Sequence, residues 1–70
     1  MIDVTRDGDL WTIRINRPDK ANSLTKEMLT TLADTFEAAK DARAVILTGE
    51  GKVFSAGADL EEARAGLAVD

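Results

Sequence analysis

Ala44-Val45-Ile46-Leu47-Thr48-Gly49-Glu50-Gly51-Lys52-Val53-Phe54-Ser55-Ala56-Gly57-Ala58-Asp59-Leu60 decides how this chain folds. The unbroken apolar run Ala44 to Leu47 is the mark of a strand covered on both faces. Gly49 to Gly57 then reads as a glycine-rich loop, and Asp59-Leu60-Glu61-Glu62-Ala63-Arg64 starts a helix. Carboxylates cluster in its first turn, where the helix dipole favours them, and Gly66 ends it early. A buried strand that passes through a small-residue loop into a helix is an α/β building block.

Working outward, the segment before this strand reads as an amphipathic helix. Met28, Leu29, Leu32, Ala33, Phe36 and Ala39 recur at helical spacing, which predicts a helix from about Lys26 to Lys40. Thr25 is the expected N-cap, and Glu27 complements the dipole. Ile2, Val4, Trp11, Ile13 and Ile15 alternate with polar neighbours, the period of half-buried strands. Asp7-Gly8 between them predicts a tight turn that pairs Arg6 with Asp9, Val4 with Trp11 and Ile2 with Ile13. Pro18 cannot donate to a ladder and ends the second strand. Strand, helix and strand in this order predict a right-handed parallel crossover.

Composition narrows the function. The 70 residues are one small domain or part of a larger one, with 44% hydrophobic and 31% charged residues. That balance is too apolar for a disordered chain and too charged for a membrane span. A net charge of −4 argues against a nucleic-acid partner, which needs a basic face. There is no cysteine and no histidine, so no disulfide and no zinc site is expected. Met1-Ile2-Asp3-Val4 lacks the basic flank and apolar stretch of a signal peptide, which points to the cytoplasm. A strand apolar on both faces needs cover on both sides, yet the sequence offers one long helix and one short one. The 70 residues therefore read as the first quarter or so of a larger fold.

Two phosphate-binding readings fail on spacing. A P-loop needs four residues between its first glycine and Gly-Lys, followed by Ser or Thr; here one residue separates Gly49 from Gly51, and Val53 follows Lys52. The dinucleotide fingerprint would require glycine where Phe54 stands. Ala56-Gly57-Ala58 is more informative, because small residues at a helix entrance let backbone N–H groups meet a ligand. Such donors suit a carbonyl oxygen gaining negative charge, each worth about 3–4 kcal/mol in the transition state. From the pattern alone a second reading stands beside it, in which Ala-Gly-Ala is close packing and Asp59 a plain N-cap.

Two ordered blocks carry a family likeness. Asn16-Arg17-Pro18-Asp19-Lys20-Ala21-Asn22-Ser23-Leu24-Thr25 resembles the N-R-P-x-x-x-N-A-L segment of the enoyl-CoA hydratase/isomerase (crotonase) family. Ala44 to Gly49, followed by Phe54 to Leu60, resembles that family's V-x-x-x-G…F-x-A-G-A-D-L segment. The resemblance covers essentially the whole chain. It departs at Ser23, where the family more often has alanine.

The resemblance implies a spiral of ββα units, of which residues 1–70 supply the first and the start of the next, as the N-terminal fragment of an acyl-CoA-binding domain. It implies that the backbone N–H of Ala58 is one of two oxyanion-hole donors for a thioester carbonyl. Ala56, Gly57, Asp59 and Leu60 then border the acyl-CoA, and Lys20, Ala21 and Asn22 lie near its nucleotide end. Arg17 and Lys20 are candidates for the nucleotide phosphates, with a solvated charge the equal alternative. Asp59 reads as a helix cap, and Glu61 and Glu62 as solvated charges. No acid or base is nominated, because the family's proton-moving carboxylates lie beyond residue 70. Coenzyme A enters as part of the substrate, with no permanently bound cofactor. The expected partners are acyl-CoA, a C-terminal remainder and, when complete, a homotrimer or hexamer. The expected activity is that of a hydratase or isomerase, absent from the 70-residue piece alone. Against this stands a non-catalytic module that binds CoA or a protein.

Overall fold

The computed structural model describes residues 1–62. Strand β1 (Ile2–Asp7) and strand β2 (Leu10–Ile15) form an antiparallel hairpin. A 3-10 turn at Pro18–Lys20 and helix α1 (Lys26–Ala38) lead to strand β3 (Ala44–Gly49), which lies parallel to β2. The sheet order is β1-β2-β3, so β2 is the central strand.

The hairpin register differs from the one the sequence suggested. Asp7 pairs with Leu10, Arg6 with Trp11, Val4 with Ile13 and Ile2 with Ile15, so Gly8-Asp9 forms the turn rather than Asp7-Gly8. Gly8 is the turn residue with positive φ, at 61°, and it occupies the first central position, the pattern of a type II′ hairpin. Moving the turn by one residue shifts the pairing by two, so the apolar residues stay on one face. The observed register also sets Arg6 over the Trp11 ring, 3.9 Å from its centroid, a favourable cation–π pair.

Ile2, Val4, Trp11, Ile13, Ile15, Val45 and Leu47 share one face of the sheet by register, and α1 packs on it. The core is small: Ile13, Ile15, Met28, Leu32 and Ala39 are buried. The Thr25 hydroxyl accepts from the Met28 N–H at 3.1 Å and caps α1, as the sequence suggested. The helix is two residues shorter than expected, ending at Ala38 with Ala39 as its cap.

One expectation about burial does not hold. Leu29 and Phe36 match the helical period but are about half exposed, so Met28 and Leu32 alone carry the buried stripe of α1. β3 lacks cover, the shortfall expected from its sequence: Val45, Ile46 and Leu47 remain 37–47% exposed. α1 covers one face of the sheet, chiefly beside β1 and β2. Ile46 points to the other face, where the described residues provide no second layer. The helix expected to run to Arg64 and stop at Gly66 shows a helical turn at residues 60–62 and otherwise lies outside the described residues.

Candidate functional site

Two loops meet beyond the ends of the parallel strands. The first, Asn16 to Thr25, begins where Pro18 stops β2 and turns sharply through Ala21 and Asn22, whose φ values are 53° and 56°. The second runs from Gly49 to Asp59. They are joined at Leu24, which forms a parallel bridge with Ala58.

Asn22 is the buried joint between them. Its side chain is fully buried; Oδ1 accepts from the Arg17 N–H at 2.8 Å, and Nδ2 donates to the Glu50 and Val53 carbonyls at 2.8 and 2.6 Å. The Ser55 hydroxyl adds a 2.8 Å bond to the Asn22 carbonyl and in turn accepts the Gly57 N–H at 3.1 Å. The Ala56 N–H donates to the Ala21 carbonyl at 3.0 Å.

The peptide units around Ala58 are fixed individually. The Leu24 N–H donates to the Gly57 carbonyl at 2.7 Å, and the Asp59 N–H donates to the Leu24 carbonyl at 2.8 Å. In a trans peptide the N–H points opposite to the carbonyl of the same unit. The Gly57 carbonyl is turned towards Leu24, so the Ala58 N–H is turned away from it. Among the described residues nothing accepts that N–H.

Asp59 closes the arrangement. Its Oδ1 accepts the Glu62 N–H at 3.0 Å, an N-cap, and its Oδ2 pairs with Arg17 Nη1 at 2.8 Å. The capping role read from the sequence is therefore observed. Arg17 Nη1 also reaches the Ser23 carbonyl at 3.2 Å and hydroxyl at 3.1 Å, so this nitrogen of the guanidinium is engaged with the protein. Glu62 is not merely solvated: its Oε1 accepts the Lys26 N–H at 2.7 Å, capping α1 from across the site.

The Glu62 N–H, and after it the Arg17 guanidinium, hold the Asp59 carboxyl below its ordinary value of 3.8. A carboxyl with a lowered folded-state pKa stabilises the fold above its unfolded value, and the contribution is lost as pH falls through the folded value. Unfolding measured between pH 7 and pH 2 should therefore show no Asp59 contribution to the slope until about pH 3.8, then a loss. Asp59→Asn should flatten the acid limb and leave the neutral plateau flat. An unchanged acid limb in the variant would contradict the assignment.

A cleft of about 330 Å³ opens at this junction, lined by Arg17, Lys20, Ser23, Ala56, Ala58, Asp59, Leu60 and Glu61. It unites five of the residues nominated from the sequence: Lys20, Ala56, Ala58, Asp59 and Leu60. Leu60 is 74% exposed there, an apolar side chain with room for a ligand beside it. Gly57, with φ at 92°, lies half-buried behind the lining. Ala21 and Asn22 line a separate depression with Pro18, Glu50, Lys52 and Val53, and the Asn22 amide is fully occupied by protein partners. Sequence reading missed the positioning contacts of Arg17, Ser23, Leu24 and Glu62. The Asn16 to Thr25 block carried the one signal for Arg17, Ser23 and Leu24, and none pointed to Glu62. Among the described residues no acidic cluster could hold a metal ion, and no helix is long and apolar enough to cross a membrane.

Comparison with known proteins places this geometry. The family model described as enoyl-CoA hydratase/isomerase matches residues 5–69. A probable enoyl-CoA hydratase of Mycobacterium bovis is 40% identical over 62 residues, covering 86% of this chain and 26% of that protein. A 4-chlorobenzoyl coenzyme A dehalogenase of an Arthrobacter species is also 40% identical, over 70 residues, covering 96% of this chain and 25% of that protein. The crystal structure of enoyl-CoA hydratase from Thermoplasma volcanium superposes with a TM-score of 0.79 at 42% identity, covering 91% of this chain and 27% of that one. The chain thus spans about a quarter of the length of the relatives it matches. Strands β1 and β2 with helix α1 correspond to the first ββα unit of their fold, and β3 to the start of the next.

Proposed function

The chain belongs to the enoyl-CoA hydratase/isomerase family, and from that premise we propose that it is the N-terminal part of an acyl-CoA-processing enzyme. Its Ala58 N–H donates one of two hydrogen bonds to the thioester carbonyl, stabilising the charge that gathers there as an enolate forms. The observation that carries this reading is the Gly57–Ala58 peptide: its carbonyl is held by Leu24, and its N–H faces away, without an acceptor among the described residues. A donor held in advance needs no reorganisation at the moment of reaction, which is why such groups are effective.

The remaining cleft residues suit a coenzyme A thioester. Ala56 and Leu60 offer an apolar border for the pantetheine arm or adenine, and exposed Lys20 supplies a cation for the nucleotide end. Ala21 and Asn22 shape that end of the site through the backbone. No carboxylate in the cleft is assigned proton transfer: Asp59 is committed to Arg17 and to its cap, and Glu61 lies at the rim. The second donor and the acid/base groups belong to polypeptide outside this chain. Coenzyme A is a portion of the substrate rather than a resident cofactor, and the complete protein is a cytoplasmic trimer or hexamer in this reading.

The likeness to a dehalogenase at the same identity as to a hydratase favours thioester recognition as the shared task of this segment. The reaction itself is then decided elsewhere. Crotonyl-CoA is the discriminating substrate. The chain alone should not hydrate it, whereas the chain continued through the rest of the family fold should. Isomerisation of a 3-enoyl-CoA without hydration would move the assignment to an isomerase. Failure of the extended protein to turn over any CoA thioester would overturn the proposal.

A further inference from the structure

We infer that Arg17 is a positioning residue for the oxyanion donor, acting through a relay of hydrogen-bonded peptides that begins at its guanidinium and ends at the Ala58 N–H. The inference rests on the reading of Ala58 as that donor. The relay is continuous in the structure. Arg17 Nη1 donates to the Ser23 carbonyl at 3.2 Å. The same peptide unit carries the Leu24 N–H, which donates to the Gly57 carbonyl at 2.7 Å. That second unit carries the Ala58 N–H. No cis peptide interrupts the series, so each unit accepts on one side and donates on the other.

A peptide whose carbonyl accepts a hydrogen bond is polarised and becomes a stronger donor at its own N–H, and a cation at the head of the series adds to this. Arg17 suits that position because its Nη1 lies within hydrogen-bond distance of three acceptors at once. Nη1 is further held by the Ser23 hydroxyl at 3.1 Å and by Asp59 Oδ2 at 2.8 Å, and the Arg17 and Asp59 side chains are only 18% and 14% exposed. Screening by water is therefore limited where the relay starts. The Asp59 contact also draws in the segment just past Ala58, so the same side chain holds the donor and polarises it.

The test is nuclear magnetic resonance on the isotope-labelled full chain, which needs no ligand and so fails or succeeds independently of the proposed enzymatic role. A through-hydrogen-bond scalar coupling between the Leu24 nitrogen and the Gly57 carbonyl carbon is expected in the wild type. Arg17→Met should move the Ala58 amide proton upfield while that coupling persists, a change that a merely structural role would not produce. Arg17→Lys, which keeps the charge, should restore part of the shift. In turnover by the extended protein the corresponding loss is roughly two- to eightfold in kcat with KM unchanged, from a strengthening of 10–30% per bond applied to a donor worth 10²–10³-fold. Absence of the coupling in the wild type would overturn the inference. So would an Ala58 proton that stays put in Arg17→Met, or, if that variant does not fold, one unmoved from its wild-type position in Arg17→Lys despite the weaker fork.

Discussion

Asn22→Ala is expected to destabilise the fold by about 2–4 kcal/mol, because it removes three part-buried hydrogen bonds made by one amide, each worth about 0.5–1.5 kcal/mol. The affected groups are the Arg17 N–H and the Glu50 and Val53 carbonyls, all bonded to one fully buried amide. The alanine must also hold φ at 56°, a left-handed conformation that asparagine tolerates better. Asn22→Gly separates the two effects. Glycine removes the amide without the conformational strain, so it should recover about 1 kcal/mol of the loss. Denaturant unfolding followed by Trp11 fluorescence measures both variants. Loss of less than about 1 kcal/mol in Asn22→Ala would mean that the joint is not what holds the two loops together.

Gly49→Ala should be comparably damaging for a steric reason. A Cβ at Gly49 would overlap the carbonyl group of Phe54, backbone against backbone, so no side-chain rotation can relieve it. Overpacking of this kind costs about 3 kcal/mol or more when backbone must move. The displaced segment leads into Ser55 and Gly57, so the cleft should loosen together with the fold. Gly57→Ala provides the contrast: nothing lies within 4 Å of its added Cβ, and the penalty comes only from φ at 92°. Amide hydrogen exchange at Leu24 and Asp59 reports both. Faster exchange at Leu24 and Asp59 is expected in Gly49→Ala. Unchanged protection there would show that the Phe54 contact yields freely.

The elements with strong local signals were legible before any coordinates. Alternation in Ile2, Val4, Ile13 and Ile15, the period of α1 and the Thr25 cap each follow from short-range chemistry, and the structure reproduces them. The hairpin register was harder to read, because two turns differing by one residue bury the same face. Only the Arg6–Trp11 stacking and the Gly8 geometry distinguish them. The exposure of β3 follows from what surrounds it, not from its own residues. Its apolar run is that of a strand with two covering layers, and the described chain supplies one.

The candidate site divides in the same way. Ala56, Ala58, Asp59 and Leu60 are contiguous, so the small-residue motif at a helix entrance exposed them together. Lys20 reached the cleft through the second motif. Arg17 and Leu24 could not be assigned their parts from sequence, because what they do depends on contacts with residues more than thirty positions away, and Ser23 acts only through Arg17. Asn22 illustrates the limit most clearly. Its place in the motif was visible, but only its complete burial reveals that its amide joins the protein to itself.

Replacing the Ala58 peptide N–H by an ester oxygen tests the central claim most directly, since among the described residues that N–H serves no internal bond. The substitution is made in the chain extended through the remainder of the family fold, with crotonyl-CoA as substrate. Loss of one oxyanion donor should lower kcat by about 10²–10³-fold with the fold intact. A well-folded ester variant whose kcat falls by less than about threefold would contradict the assignment of Ala58 as donor to the thioester carbonyl.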